Sequence, residues 1–380
     1  METTLLHWTE QGAERSARWH SEAGMPPPKR VVVADDTLNA DTAYRLACEG
    51  TALLWRGDFQ NARQLLQALA RRADGKHGKP KKKAAKVPAS PTEAFHLHRQ
   101  AQSQRARTLA MLLIPFEPGY TIPLRRAPEV KLACNEAYGR GEDAFVISLR
   151  ELLGVIGAHE WRRTGVEIPA LDARIHPHYG VFSPVRGEYV QLVAETPLPK
   201  KTTVAFDIGA GTGVLSAVLA QRGVPRIVAT DMDRRALSCA RDNIARLDLD
   251  RKVELLEPDL FPPGRAPLVV CNPPWLPARP SSSIESALYD PDSRMLKGFL
   301  AGLKDHLSEG GEGWLILSDL AEHLGLRPRE QLLEWIAQAG LVVLGRQDVR
   351  PTHPKATDAE DPLHAARSAE VTSLWRLGAA

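Results

Sequence analysis

Four short clusters in the second half of this 380-residue chain carry residue types that could do chemistry. The most specific is Asn272-Pro273-Pro274-Trp275, which directly follows the apolar run Leu268-Val269-Val270-Cys271. Two prolines donate nothing to a ladder and cannot continue a central strand. They stiffen a turn and place its groups on the carboxyl edge of a sheet, where open α/β sheets bind ligands. The Asn272 side-chain oxygen and the Pro273 carbonyl can accept both hydrogens of a planar amine or amide. Fixing both hydrogens turns the nitrogen lone pair out of the plane, towards an electrophile. Trp275 supplies a flat face on which a planar target can stack.

The second cluster is Asp207-Ile208-Gly209-Ala210-Gly211-Thr212-Gly213, which closes one apolar run and opens a helical one. Glycine is needed where the backbone turns sharply and approaches a ligand, and the helix start beyond it offers free amides. Nucleotide-binding dehydrogenases use G-x-G-x-x-G at such a turn. The spacing here is G-x-G-x-G, and the preceding residue is acidic. Asp207 could hold a cationic ligand or brace the loop. The third cluster is Thr230-Asp231-Met232-Asp233, in which Asp231 can accept from both hydroxyls of a ribose and Asp233 suits a helix N-cap. The fourth is Asp259-Leu260, where the carboxylate can accept from an adenine amine and the Leu260 amide can face the ring.

These clusters imply a scaffold of alternating elements. Strands are expected at 204–207, 226–230, 253–256, 268–271 and 313–317, with helices at 213–222, 234–247, 292–307 and 329–339 between or after them. Two last strands fall at 341–344 and 370–377. The fold class predicted is α/β, a doubly wound, mostly parallel seven-stranded Rossmann-like sheet with an antiparallel edge hairpin. A smaller α or α+β accessory domain precedes it.

The domains expected are an N-terminal region over 1–74, a basic flexible linker over 75–91, a helical accessory region over 92–170, and a catalytic domain over 171–380. Within the first part, a strand is expected at 29–34 and helices at 41–56 and 58–73, with Arg56-Gly57-Asp58 as an interhelix turn. Further helices are expected at 92–113, 129–138 and 148–164, the last closed by Gly165. The net charge is +3, yet segment 71–86 alone holds eight Lys/Arg against one Asp. The rest of the chain is therefore slightly acidic. Such a segment is either a solvated linker or an electrostatic contact to a phosphate backbone.

A hydrophobic content of 43% and a charged content of 25% fit a globular protein and exclude collagen-like, wholly disordered and membrane-spanning classes. The N-terminus has no apolar leader region, and the four cysteines are too dispersed for a disulfide framework or a metal knuckle. A reduced cytoplasm is the expected compartment. His176 and His178 bracket a proline without other ligands nearby in sequence, so no metal is expected.

Together the four clusters resemble those of class I S-adenosylmethionine-dependent methyltransferases, over roughly residues 175–377. The resemblance implies S-adenosylmethionine as cofactor, held by Asp207, Gly209, Gly211, Gly213, Asp231, Asp259, Leu260 and Asn272. It implies a catalytic turn of Asn272, Pro273 and Trp275, since Asn-Pro-Pro-aromatic marks the amino-group N-methyltransferases. The aromatic there is usually Tyr or Phe, so Trp275 is a departure. The segment His178 to Val190 resembles the one that precedes the glycine loop in the "small-domain" methyltransferases. The resemblance implies that it packs over cofactor and substrate, with Phe182, Pro184 and Glu188 facing the substrate alongside Pro274. The expected acceptor is an exocyclic base amine of ribosomal or transfer RNA, with segment 71–86 as an auxiliary contact. The alternative is a protein glutamine amide of a release factor or ribosomal protein, and after it a small molecule. A dehydrogenase and a non-catalytic binding module on a decayed methyltransferase fold are the rival classes.

Overall fold

The computed structural model describes residues 4–75, 88–185, 187–280, 285, 287–352 and 358–380. Most of segment 71–86 lies outside the described residues. The chain divides into two compact units, one of Met1–Val87 with His96–Glu160 and one of Pro88–Phe95 with Trp161–Ala380.

The first unit contains β1 (Leu5–Glu10), β2 (Ala13–Trp19), β3 (Arg30–Ala34), α1 (Ala40–Cys48), β4 (Thr51–Trp55) and α2 (Phe59–Ala73). After α3 (Pro91–Leu109), whose first turn belongs to the second unit, come β5 (Leu112–Phe116), α4 (Lys131–Tyr138), β6 (Phe145–Ser148) and α5 (Leu149–Thr164), whose last residues belong to the second unit. Its strands form one mixed sheet in the order β1-β2-β6-β5-β4-β3.

Two expected helices were partly strand. Residues 41–56 split at Gly50, whose φ of +76° ends α1, and Thr-Ala-Leu-Leu-Trp beyond it is buried throughout as β4. The expected 92–113 helix likewise ends at Leu109, and its last two residues, Leu112 and Leu113, open the buried strand β5. A short continuous apolar run has no periodicity to separate a buried strand from a buried helix; the neighbouring strands decide. Arg56-Gly57-Asp58 accordingly joins a strand to a helix: the Asp58 side chain accepts from the Gln60 amide at 2.8 Å and caps α2.

The second unit opens with the hairpin β7 (Val166–Ile168) and β8 (Ala173–Ile175). Then follow α6 (Glu188–Glu195), β9 (Val204–Ile208), α7 (Val214–Gln221), β10 (Arg226–Thr230), α8 (Arg234–Arg246), β11 (Val253–Leu256) and β12 (Ala266–Cys271). The remainder is α9 (Arg294–His306), β13 (Leu307–Ser318), α10 (Leu320–His323), α11 (Arg329–Gln338), β14 (Leu341–Val349), α12 (His364–Ala369) and β15 (Thr372–Ala379). The seven-stranded sheet has the order β11-β10-β9-β12-β13-β15-β14. The first four pairings are parallel, and β15 runs antiparallel between β13 and β14. This is the doubly wound sheet with an antiparallel edge that the alternation predicts.

Both faces of the sheet are covered. Ala205, Ile227, Leu268, Val270, Trp314 and Leu374 point into one core, with α6 and α7. Their chain neighbours Phe206, Val228, Val269, Cys271, Leu315 and Trp375 point into the other, with α9 and α11. The period of two is thus apolar on both sides, the pattern of a buried sheet. The chain steps outward from β9 through β10 to β11, then returns to β12 on the other side of β9. That reversal leaves a crevice at the carboxyl ends of β9 and β12. The glycine cluster follows β9 and the Asn-Pro-Pro-Trp turn follows β12, so both open onto it.

Candidate active site

A cavity of about 390 Å³ lies there within the second unit, in the size range of small-molecule sites. Of the residues expected from sequence, Gly209, Gly211, Asp231, Asp259, Leu260, Asn272, Pro273, Pro274, Trp275 and Phe182 line it. Asp207, Gly213, Pro184 and Glu188 are not among its lining residues.

The glycine turn is shaped by main-chain bonds. The amides of Gly209 and Ala210 both donate to the Thr230 carbonyl, at 2.9 and 2.8 Å, which pins the turn to the end of β10. Gly209 has φ +81°, and a Cβ there would stand 2.6 Å from Met295 Cε. Gly213, at φ +79°, begins α7 and lies against Ala240 of α8, where a Cβ would come within 3.2 Å. One glycine thus keeps the cavity wall clear and the other lets two helices approach.

Asp207 works from behind the turn. It is 1% exposed, and its carboxylate accepts the Ser216 hydroxyl of α7 at 2.6 Å. Burial raises its carboxyl from 3.8 to about 6, opposed by the Ser216 bonds and reinforced by the nearby Asp231. Asp231 is half-buried on the cavity wall. Its carboxylate accepts the Gly211 amide and the Asp233 amide, each at 2.9 Å. Burial raises this carboxyl as well. A carboxylate has about four acceptor sites, so Asp231 can brace the turn and still accept ligand hydroxyls. Asp233 caps α8 through the Arg235 amide at 2.8 Å.

At the next strand end, Leu260 takes φ +72° and its carbonyl accepts the Thr230 hydroxyl. The exposed carboxylate of Asp259 is ion-paired with Arg294 at the start of α9. Beyond β12, the Trp275 indole N–H donates to the Asn272 side-chain oxygen at 2.9 Å.

Three residues that organise the site were missed from sequence. Arg327, 3% exposed, donates to the Trp275 carbonyl at 3.3 Å; burial lowers its pKa. Asp290, 5% exposed, accepts the Met295 and Leu296 amides at 3.0 and 3.1 Å and so fixes the start of α9. Asp292 and Ser293 between them both have φ near +55°, at 57° and 54°, a strained path that such bonding must hold. Asn243 of α8 is fully buried. It accepts the His176 amide at 2.7 Å and donates to the His176 and Thr212 carbonyls at 3.3 and 3.1 Å. It thereby joins the segment before the sheet to the glycine turn. A polar residue on the apolar face of α8, between Ala240 and Ile244, was the available signal.

His176 and His178 brace the same segment. His176 Nδ1 lies 2.6 Å from the Arg162 carbonyl, and His178 Nε2 lies 3.0 Å from Asp242, which also accepts Arg162 at 2.9 Å. Among the described residues, no group of three or more His, Cys, Asp or Glu side chains could hold a metal.

A doubly wound sheet carrying a glycine turn, an acid at the second strand end and a cavity at the switch point defines a scaffold that binds a nucleoside cofactor. The residues fit S-adenosylmethionine: an open glycine wall, the half-buried carboxylate of Asp231 and the Asp259-Leu260 edge surround one cavity. The family described as methyltransferase small domain matches residues 172–334. A tRNA1(Val) (adenine(37)-N6)-methyltransferase of Shewanella loihica is 30% identical over 200 residues, covering 49% of this chain and 79% of the relative. A release factor glutamine methyltransferase of Cereibacter sphaeroides is 33% identical over 187 residues, covering 46% of this chain and 62% of the relative. The chain belongs to the small-domain methyltransferases of the class I S-adenosylmethionine-dependent family. Among the described residues, no helix is long and apolar enough to cross a membrane.

Proposed function

We propose that this methyltransferase acts on the exocyclic amine of a base in ribosomal or transfer RNA. The observation that carries the reading is that Asn272, Pro273 and Trp275 line the same cavity as Gly209, Gly211 and Asp231. S-adenosylmethionine supplies the electrophilic methyl group. Asp231 and the glycine turn would hold its nucleoside and amino-acid parts. The Asn272 oxygen and the Pro273 carbonyl accept the two hydrogens of the target amine and present its lone pair. An sp² amino nitrogen is a weak nucleophile, so the gain comes from position and polarisation. The nitrogen becomes far more acidic once alkylated, so these neutral oxygens suffice to pass its proton to water. Phe182 and Pro274, on the wall beside the turn, suit a planar base.

RNA is favoured by the basic run at 71–86, a sequence-independent contact to phosphates, and by the adenine-N6 relative. The glutamine-modifying relative supports the second reading, since a glutamine amide offers the same planar N–H₂. The test is methyl transfer from radiolabelled S-adenosylmethionine into lysate of a strain lacking this protein. RNase-sensitive label is expected. Label removed only by protease would replace the RNA reading with amide methylation.

A further inference from the structure

The Asn272 oxygen, which must accept the target's N–H, already accepts one from Trp275. We infer that Trp275 is a positioning residue whose indole N–H fixes the Asn272 amide with its oxygen, not its NH₂, towards the target. The inference rests on the amine-methylation reading above. An asparagine amide is nearly symmetric in shape but opposite in hydrogen bonding at its two ends. With the NH₂ turned to an incoming amine, donor would face donor and no lone pair would be presented.

The indole removes that alternative. Flipping the amide would set the Asn272 NH₂ against the indole N–H, again donor against donor. The carbonyl oxygen has two lone pairs; the indole uses one and leaves one for the target. The indole itself is held from two sides. Its ring packs against the cores on both faces of the sheet, and the main-chain carbonyl of Trp275 accepts from the buried Arg327 at 3.3 Å. The prolines between Asn272 and Trp275 have fixed φ, so the three-residue spacing keeps the two side chains in register. Phenylalanine at this position could stack on a base but could not set the amide.

The test uses the full chain with total RNA from a strain lacking the protein as acceptor, under single-turnover conditions. Two variants are compared: Trp275→Phe, and a replacement of Trp275 by 3-benzothienylalanine, which keeps the bicyclic shape and removes only the N–H donor. Loss of one neutral hydrogen bond predicts a methyl-transfer rate about 3- to 10-fold lower in both, with cofactor affinity unchanged. In an Asn272→Ala background the same replacements are expected to have no further effect, because the amide they orient is gone. A benzothienylalanine protein that turns over at the wild-type rate would overturn the inference. So would an equal loss in the Asn272→Ala background, which would mean that the indole N–H acts other than through the Asn272 amide. Wild-type turnover by Asn272→Ala alone would instead remove the amine-methylation reading itself.

Discussion

Asp207 offers a quantitative check on the buried end of the site. Its carboxyl is raised from 3.8 to about 6, chiefly by burial. Between those values the folded protein holds a proton that the unfolded chain has lost. Stability contributed at low pH is therefore lost as pH rises through about 6, opposite to an ion-paired carboxylate. A shift of about 2 units corresponds to roughly 3 kcal/mol in full, of which roughly 2 kcal/mol falls between pH 4.5 and 7. Asp207→Asn keeps an oxygen for Ser216, bonded at 2.6 Å, but cannot ionise. Relative to the wild type, the cofactor-free variant should gain about 2 kcal/mol over that interval, roughly 4–8 °C in Tm for a domain of this size. Thermal unfolding of both proteins, followed by circular dichroism at closely spaced pH values, measures the difference. Two Tm curves that run parallel from pH 4.5 to 7 would refute the reasoning, because the Asp207 proton would then not be coupled to folding.

Asn272→Ala should lower turnover about 100-fold or more while leaving the cofactor Kd within about twofold; radiolabel kinetics and calorimetry read the two effects separately. Asp231→Ala removes the acceptor for the Gly211 and Asp233 amides as well as the proposed ribose contact; calorimetry should show cofactor binding weakened at least about tenfold, and an unchanged Kd would reject the ribose role. Gly209→Ala places a side chain at φ +81° and displaces the Met295 methyl on the cavity wall, so the folded variant should bind cofactor poorly, as equilibrium dialysis would show. Asn243→Ala strips bonds from the His176 amide and the Thr212 carbonyl, and urea unfolding should report a loss of about 2–3 kcal/mol.

The parts of the site that are legible in sequence are those set by local backbone demands. A glycine at φ +81° and a double proline after a buried strand mark their own positions, and Asp233 caps the helix that follows it directly. Strand alternation is equally local, and it yielded the catalytic sheet. What sequence left unread depends on partners distant along the chain. Arg327 meets Trp275 52 positions away, and Asn243 meets His176 67 positions away. Neither spacing is visible in a window of one helix or strand. The buried strand β4 and the first two residues of β5 read as helix for the same reason, because only their neighbours in the sheet distinguish the two. For Asp207 the sequence leaves open a ligand contact or a brace for the loop, and the structure shows it bonded to the Ser216 hydroxyl in the first turn of α7.

The most direct test of the central claim is the chemical identity of the methylated product. RNA from a strain lacking this protein is labelled with the purified enzyme, digested to nucleosides and resolved by chromatography with mass spectrometry. Methylation of a base amine predicts label on an exocyclic nitrogen, as N6-methyladenosine or N2-methylguanosine, and its disappearance with Asn272→Ala. Label on a ribose oxygen or a ring carbon would contradict it, because neither presents the two N–H groups that Asn272 and Pro273 are proposed to accept.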